Sequence, residues 1–378
     1  MTSSKIPVAP SDVGRLSDVF ISALGAILDH TDKSVNKLSL PKLKSAVVVL
    51  IDGLGTHNLE TRIGHANALG ALLKSQPKSS IRCEFPSTTV VSLAGFATGE
   101  RSSLHGLVGY NVANQDQTGL VNLLTGWEQT SQAVREWKSI APISERFKSS
   151  SVQVHVVSQE GYRHSGFTQL TMPEALYHGE DDMEARVLKA HQLASKPGNL
   201  VYLYIPELDQ IGHMHGSQSA TWSQVLETVD AALAPLLSSE HVAVLVTADH
   251  GMVDVPIENQ IHLETLSCLQ GVDFLAGGDT RSAYIYTNSD VCDAIQQELG
   301  DDVWVVRWDD LVEAGYVLQP QVLDHRHPSI VVLAKKNVTL YDRRTCKPRS
   351  LQMLGHHGSI TDAEMRVPLL RAGTLQAK

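Results

Sequence analysis

Asp249, His250 and Gly251 lie just beyond the apolar run 242–246, and they have the clearest chemistry in the chain. Such a run of aliphatic and β-branched residues predicts a buried strand. In α/β folds the ligand sites lie at the carboxyl ends of the strands, and carboxylate and imidazole groups both bind divalent metal ions. The segment is compatible with a metal site, although, taken alone, a capping aspartate beside an incidental loop histidine is the more frequent explanation.

Three other clusters have a similar composition. They are Asp52 after the run 47–51, Asp209 and His213 after the run 200–205, and His356 and His357 between two glycines. On a helix, the i, i+4 spacing of Asp209 and His213 would place both side chains on one face. Alone, each cluster could be a cap, a solvated face or a turn. Together they favour one metal site, because one shared site explains all four clusters of ligand-type residues better than four separate coincidences do.

The segment 85–99 offers a hydroxyl group that could act as a nucleophile. A turn containing Pro86 leads from a short strand predicted at 80–84 into a helix predicted from Thr89 to Ala97. The free amides and positive dipole end at the start of a helix suit an incoming phosphate. The hydroxyls near this helix start belong to Ser87, Thr88 and Thr89, and each of them could instead only cap the helix.

The elements that must position these residues alternate between strand and helix. This order is typical of a parallel sheet covered by helices on both faces. An amphipathic helix is predicted within 13–28. The pattern predicts strands at 45–51, 152–157, 200–205 and 242–247, and helical segments at 57–74, 182–195 and 219–237.

The character of the chain changes between about 255 and 350. This block contains strands predicted at 282–286 and 303–306 and helices predicted at 289–299 and 309–314, before a strand at 329–333. We interpret it as an inserted lobe between a core of residues 1–254 and a return to the core at 351–378. The alternative is that it continues the main sheet.

Composition limits the classes of function. The 378 residues are 42% hydrophobic, which allows a large core in one domain with an insertion or in two domains. A net charge of -10 argues against binding a nucleic acid polymer, because no basic stripe is available. A small anionic substrate would need cations in the site, which metal ions would supply.

The four cysteines form no C-x-x-C pair, so we expect reduced thiols. The sequence contains no signal-peptide pattern and no apolar segment of membrane-spanning length. We therefore expect a cytoplasmic protein without a membrane partner.

In their order along the chain, the motifs resemble the alkaline phosphatase superfamily and, within it, the type I phosphodiesterase/nucleotide pyrophosphatase family. The resemblance covers about 45–371. It implies an α/β three-layer sandwich with a central, mostly parallel sheet and a small inserted α+β lobe. The motifs are Asp52-Gly53, Phe85-Pro86-Ser87-Thr88-Thr89, Thr98-Gly99, His105-Gly106, Asp209 with His213, Asp249-His250-Gly251 and Gly355-His356-His357-Gly358.

The resemblance also implies two divalent metal ions, usually zinc. Ligands of carboxylate and imidazole without thiolate suit zinc but also manganese. The register from Thr98-Gly99 selects Thr89 over Thr88 as nucleophile, and the glycines select His357 over His356. The implied ligands are Asp52, Asp249, His250 and the Thr89 oxygen for one ion, and Asp209, His213 and His357 for the other.

Under this resemblance, Thr89 would form a phosphothreonine intermediate that water then hydrolyses. An alcohol becomes a competent nucleophile when a dication stabilises its alkoxide. The backbone amide of Thr89 and the side chain of Asn111 would stabilise a phosphoryl oxygen. The family register is off by one residue here, so Tyr110 competes with Asn111 for this role, and Asn111 could also be a surface-loop residue.

The sequence departs from the family at two places. Val90–Leu93 replaces the familiar Phe-Pro-Asn-His, and Ser359-Ile360-Thr361 replaces Tyr-Asp-Asn, so the nucleotide-binding surface differs while the implied ligands remain. The nearest arginine to the nucleophile is Arg101, which we expect in a solvated turn. Monoesterases often hold the dianionic phosphate with an arginine.

We therefore favour a small-molecule phosphodiester or nucleotide pyrophosphate over a monoester. The same superfamily also leaves open a phosphonate hydrolase. A phosphomutase is less favoured, because the block 255–350 is small for one. A binding protein without activity is the least favoured, because all the ligand types and a hydroxyl are present together.

Overall fold

The computed structural model describes residues 6–11, 13–30, 32–127, 139–319 and 324–376. Its strands, numbered in chain order, are Ala46–Ile51 (β1), Ser80–Arg82 (β2), Asn111–Ala113 (β3), Leu120–Asn122 (β4), Gln153–Ser158 (β5), Leu176–Gly179 (β6), Asn199–Ile205 (β7), Ala243–Thr247 (β8), Val253–Asp254 (β9), Gln260–His262 (β10), Leu275–Asp279 (β11), Ser282–Tyr286 (β12), Val303–Arg307 (β13), Ile330–Ala334 (β14), Thr339–Tyr341 (β15), Gly355–His356 (β16), Arg366–Pro368 (β17) and Leu370–Gly373 (β18).

The α-helices are Ser17–Ile27, Thr56–Thr61, Asn67–Ser75, Thr89–Thr98, Ser102–His105, Ile143–Arg146, Gly166–Thr171, Met183–Ala194, Glu207–His215, Ala220–Leu237, Cys292–Leu299, Trp308–Glu313 and Asp362–Met365. Short 3-10 helices are Ile63–His65, Glu160–Tyr162, Ile257–Asn259, Leu263–Thr265, Ser267–Leu269, Gly300–Asp302 and Pro348–Gln352. Across the described ranges, none of the helices has the length and apolar character needed to cross a bilayer.

The main sheet has six strands in the order β18-β8-β1-β7-β5-β6. All of its neighbouring pairs are parallel except β18 with β8, which is antiparallel. Every residue of β1 and β8 is buried, as expected for strands covered on both faces. The predicted α/β sandwich with a central, mostly parallel sheet is confirmed.

Helices pack on this sheet in two groups. Ser17–Ile27 contacts Thr89–Thr98 and also β1 and β7, while Met183–Ala194 contacts β5 and β7 and is packed beside Ala220–Leu237. These helices occupy the predicted positions.

The segment 57–74, predicted to be helical, is interrupted. It forms Thr56–Thr61, a 3-10 turn and Asn67–Ser75. The Asp230 carboxylate accepts hydrogen bonds from the amides of Ala68 and Leu69 at 2.9 and 2.8 Å. These amides are free because a new helix starts there, and a carboxylate from a distant helix caps them.

The second sheet is antiparallel, with the order β13-β14-β12-β11-β3-β4. The two faces of this sheet pack into different hydrophobic cores. Tyr284 and Tyr286 pack into the large core, while Ala283 and Ile285, which alternate with them, pack into a smaller one. Because β3 and β4 come from 111–122, this sheet also uses residues outside 255–350. The division of the chain at 254 and 350 stays a prediction.

Candidate active site

Three acidic side chains leave adjacent strands of the main sheet at the same edge. Asp52 follows β1 directly, Asp249 lies just after β8, and Asp209 lies on the helix that follows β7. Because β1 pairs with both β7 and β8, the carboxyl ends of the three strands lie side by side. The parallel register therefore brings together carboxylates that are far apart in the sequence.

His250 joins Asp52 and Asp249 into a first group. Its Nε2 lies 3.4 Å from Asp52 Oδ1 and 3.6 Å from Asp249 Oδ2. Atoms of these three residues lie within 4.8 Å of one another. The arrangement matches three of the ligands predicted for one ion.

Asp209, His213 and His357 form a second group. His213 Nε2 lies 3.3 Å from Asp209 Oδ2, and His357 Nε2 lies 4.0 Å from Asp209 Oδ1. The rings of His250 and His357 stack with 3.7 Å between their centroids. Asp209, His250 and His357 also have ligand atoms within 4.8 Å, so His250 lies between the two groups.

The three histidines are oriented by hydrogen bonds from the nitrogen that faces away from the site. Nδ1 of His213 donates to the carbonyl of Gly355 at 2.8 Å, and Nδ1 of His357 donates to that of Ser87 at 2.9 Å. Nδ1 of His250 donates to the carbonyl of the next residue, Gly251, at 3.1 Å. With Nδ1 facing a carbonyl, Nε2 is the ring nitrogen left to face a metal ion, as in metal-binding histidines.

His356 has a different environment from its neighbour. Its Nε2 lies 3.1 Å from the carbonyl of Met353, and its Nδ1 lies 3.1 Å from Thr280 Oγ1. Burial lowers the pKa of His356 to about 3. Both ring nitrogens are therefore engaged, which favours His357 as the ligand.

The carboxylates fit bound cations. Asp52 Oδ1, Asp209 Oδ1 and Asp249 Oδ2 are buried and accept no hydrogen bond from any described residue. Burying a carboxylate oxygen without a partner costs free energy, and a bound cation beside these atoms would offset that cost. Burial, together with the charges of Asp249 and Asp209, raises the pKa of Asp52 well above its usual value. Bound cations would stabilise the charged form of Asp52 and so offset the rise in its pKa.

Charge also links the members of the second group. Burial opposes protonation of His213, but the carboxylate of Asp209 outweighs it and raises the pKa of His213 to about 9. Burial, followed by the neighbouring rings of His250 and His213, lowers the pKa of His357 well below its usual value.

The hydroxyl of Thr89 lies beside the first group. Thr89 is the first residue of the helix Thr89–Thr98, and its Oγ1 lies 3.2 Å from His250 Nε2. The side chain of the preceding Thr88 instead hydrogen-bonds Asp279. Of the two neighbouring hydroxyls, the structure brings that of Thr89 to the predicted ligands.

Asp279 and Tyr204 were missed by the sequence reasoning. Asp279 ends β11, and its Oδ2 lies 3.8 Å from His357 Nδ1. Tyr204 lies on β7, and its hydroxyl donates to Asp52 Oδ2. Neither lies in a recognisable motif. The alternation of side chains along β7 was the only signal for Tyr204.

Asn111 lies on β3, where its Oδ1 accepts a hydrogen bond from Asn122 Nδ2 at 3.1 Å. Its predicted role toward a phosphoryl oxygen stays a prediction. The solvated turn expected for Arg101 is wrong. The Arg101 side chain is half-buried, and its guanidinium donates to the carbonyls of Gly315 and Tyr316 at 2.6 and 2.8 Å.

A cavity of about 320 Å³ opens beside Asp52, Thr89 and Asp209. Apart from these two aspartates, its lining is apolar, aromatic or neutral, with no lysine, arginine or histidine among the described residues that form it. Six aromatic side chains contribute to the walls. They are Phe96, Tyr162, Phe167, Tyr177, Tyr202 and Tyr204.

The family profile of the type I phosphodiesterases/nucleotide pyrophosphatases matches residues 46–360, which include all the residues of both groups. The chain belongs to this family. As a type I phosphodiesterase/nucleotide pyrophosphatase it is a hydrolase of phosphoric esters. The family is metal-dependent, and the two groups are its candidate ligands in this chain.

Solved structures with this fold include ectonucleotide pyrophosphatase/phosphodiesterase 5 from mouse and human. The murine protein, an inactive variant in complex with AMP, is 18% identical with a TM-score of 0.63, and the match covers 88% of each chain. The human protein is also 18% identical with a TM-score of 0.63, over 87% of each chain. No curated protein sequence matches this type I phosphodiesterase significantly.

Proposed function

We propose that the chain hydrolyses phosphodiester or nucleotide pyrophosphate bonds through a covalent intermediate at Thr89, with two divalent metal ions, zinc or manganese. The observation that carries this proposal is the hydroxyl of Thr89, 3.2 Å from His250 Nε2. It lies where the two groups of acidic and imidazole side chains meet. Asp52, Asp249, His250 and Thr89 would hold one ion, and Asp209, His213 and His357 the other.

When bound, the ions would favour the alkoxide of Thr89 and offset the charge of the phosphoryl group. Thr89 Oγ1 forms a bond to phosphorus, and the bond between phosphorus and the leaving oxygen breaks. The proton lost by the threonine hydroxyl accounts for the proton on the released alcohol or nucleotide. With a diester, the phosphothreonine keeps the second alcohol as an ester. Water then cleaves the Thr89–phosphorus bond and restores the hydroxyl, so one water is consumed per turnover.

The lining of the cavity supports a substrate with an uncharged organic group on the phosphate. Burying such a group is favourable against aromatic and aliphatic walls. A monoester dianion would gain from an arginine, but Arg101 is bound to backbone carbonyls elsewhere. The AMP complex of the murine protein is in line with a nucleotide as that group.

A panel of chromogenic substrates tests the proposal. The panel contains bis(4-nitrophenyl) phosphate, a nucleoside 5′-(4-nitrophenyl phosphate) and 4-nitrophenyl phosphate. We expect kcat/KM for a diester to exceed that for the monoester by about 10-fold or more, which corresponds to about 1.4 kcal/mol. A monoester preference would contradict the diester assignment. Phosphate released from a phosphonate would instead favour the phosphonate hydrolase.

Thr89→Ala and Thr88→Ala are a matched pair for the nucleophile. We expect Thr89→Ala to lower kcat by about 10³-fold or more, because it removes the hydroxyl that forms the proposed intermediate. Thr88→Ala should retain activity within about 10-fold, because its hydroxyl faces Asp279. Full activity of Thr89→Ala with loss in Thr88→Ala would place the nucleophile one residue earlier.

A further inference from the structure

A buried ion pair joins the second sheet to the loops that carry the candidate ligands. Arg281, the residue before β12, donates from Nε to Glu364 Oε1 at 2.8 Å and from Nη2 to Oε2 at 3.0 Å. The two side chains are 1% and 0% exposed. Nη1 of Arg281 donates to the carbonyls of Lys336 and Val338, at 2.9 Å each. The arginine therefore links the turn between β11 and β12 to the segment between β14 and β15.

Glu364 also holds the loop that follows His357. Its Oε1 accepts a hydrogen bond from the amide of Ser359 at 2.9 Å. The carbonyl of Ser359 accepts from Ser87 Oγ at 2.7 Å, and the carbonyl of Ser87 accepts from His357 Nδ1 at 2.9 Å. Since Ser87 lies two residues before Thr89, this chain of bonds reaches the start of the nucleophile helix.

The backbone of Glu364 reaches the other ligand loop. Its carbonyl accepts from the amide of Gly251, next to His250, at 2.7 Å. A Cβ on Gly251 would lie 2.0 Å from the carbonyl oxygen of Ala363, so only glycine permits this approach. One residue, Glu364, thus contacts the loops of both His250 and His357.

We propose that Arg281 and Glu364 are positioning residues that set the metal affinity of the site by fixing the loops of His357 and His250. The inference rests on the proposed function. Buried ion pairs are weak contributors to stability, since apolar replacements are often neutral or stabilising. Groups that orient metal ligands, by contrast, typically change metal affinity or activity by about 10- to 100-fold when they are lost.

The test uses the double variant Arg281→Met/Glu364→Leu, which removes both charges and keeps similar volumes. Chelator-treated protein is titrated with Zn²⁺ by calorimetry, and urea unfolding is measured on the same metal-free samples. We expect Zn²⁺ affinity to fall about 10- to 100-fold in protein that stays folded without denaturant, while the backbone groups that lose their partners lower the unfolding midpoint. Unchanged Zn²⁺ affinity in the double variant overturns the proposal.

Arg281→Lys provides a second, milder variant. Lysine keeps the charge but cannot form the two parallel hydrogen bonds of the guanidinium. We expect a smaller loss of Zn²⁺ affinity than in the double variant. If the double variant fails to fold, Arg281→Lys decides, and wild-type affinity there overturns the proposal.

The control is the Asp342–Arg344 pair on the loop after β15. Asp342 is buried, and Arg344 donates to it from Nη2 at 2.7 Å and from Nε at 3.0 Å. The loop carries none of the predicted ligands, so Asp342→Leu/Arg344→Met should keep Zn²⁺ affinity within about twofold of wild type. An equal loss in this control would also overturn the proposal.

The same titration separates the two claims. A wild-type chain that neither binds Zn²⁺ nor cleaves an ester would remove the proposed function itself. A wild-type chain that binds two Zn²⁺ ions, with a double variant that binds them equally well, would remove only the positioning role.

Discussion

Tyr110 lies directly before β3 of the second sheet, and its phenol hydroxyl feels the charges of Asp209 and Asp279. Burial raises the pKa of Tyr110, a hydrogen bond with Asn122 opposes the rise, and the charges of Asp279 and Asp209 add to it. The neighbouring Asn111 hydrogen-bonds Asn122. Because the charges of Asp279 and Asp209 act on its hydroxyl, we propose Tyr110, the competitor that the sequence left open, as the donor to a phosphoryl oxygen in place of Asn111.

Tyr110→Phe and Asn111→Ala test this choice. Removing one donor to a developing negative charge should lower kcat by about 10- to 100-fold in Tyr110→Phe. If Tyr110 is the donor, Asn111→Ala should change kcat by less than about threefold. Steady-state kinetics on the diester measures both, and the reverse order of effects would restore Asn111 to the role.

Among the elements, the strand ends that carry the first group could be predicted. The runs before Asp52 and Asp249 are buried throughout, and the helical spacing of Asp209 and His213 places both on one face. Asp279 could not be predicted, because β11 reaches the site by pairing with β3, which is distant in the sequence. Local periodicity does not encode such a pairing.

The same limit explains Glu364. It lies on the short helix Asp362–Met365, and nothing in the local sequence marks it as a partner of Arg281. The break within 57–74 is similar, because its capping carboxylate comes from the distant helix Ala220–Leu237. The ion pair and the helix break depend on polar partners that are distant in the sequence, whereas the strands follow from the local apolar pattern.

The buried His105, at the end of the short helix Ser102–His105, predicts a pH dependence of folding stability. Burial lowers the pKa of His105 from 6.5 to about 3, and its Nδ1 accepts the amide of Leu107 at 3.2 Å. The folded state keeps His105 neutral while the unfolded chain gains a proton below pH 6.5. Stability from this group is therefore present above pH 6.5 and is lost as the pH falls toward 3.

His105→Asn keeps an acceptor and removes the titration. Between pH 6.5 and 4.5 the wild type should lose about 2 kcal/mol more of its unfolding free energy than the variant does. Urea unfolding of chelator-treated protein at both pH values measures this loss. Replacing the exposed His241 by Asn is the control, and equal losses in wild type and His105→Asn would contradict the assignment.

At the scale of the whole molecule, the site is assembled by both sheets. The main sheet supplies the acidic residues from three parallel strands, and the second sheet contributes Asp279 and the ion pair of Arg281. Tyr284 and Tyr286 pack this sheet into the large core. A net charge of -10 and the buried carboxylate oxygens without hydrogen-bond partners both favour bound cations.

Anomalous X-ray diffraction from crystals of the Zn²⁺-loaded protein tests the central claim most directly. We predict two zinc peaks. One lies about 2.0–2.2 Å from Asp52, Asp249, His250 and Thr89 Oγ1, and the other lies equally close to Asp209, His213 and His357. Zinc bound elsewhere, or a single ion with the Thr89 hydroxyl turned away from it, would contradict the account.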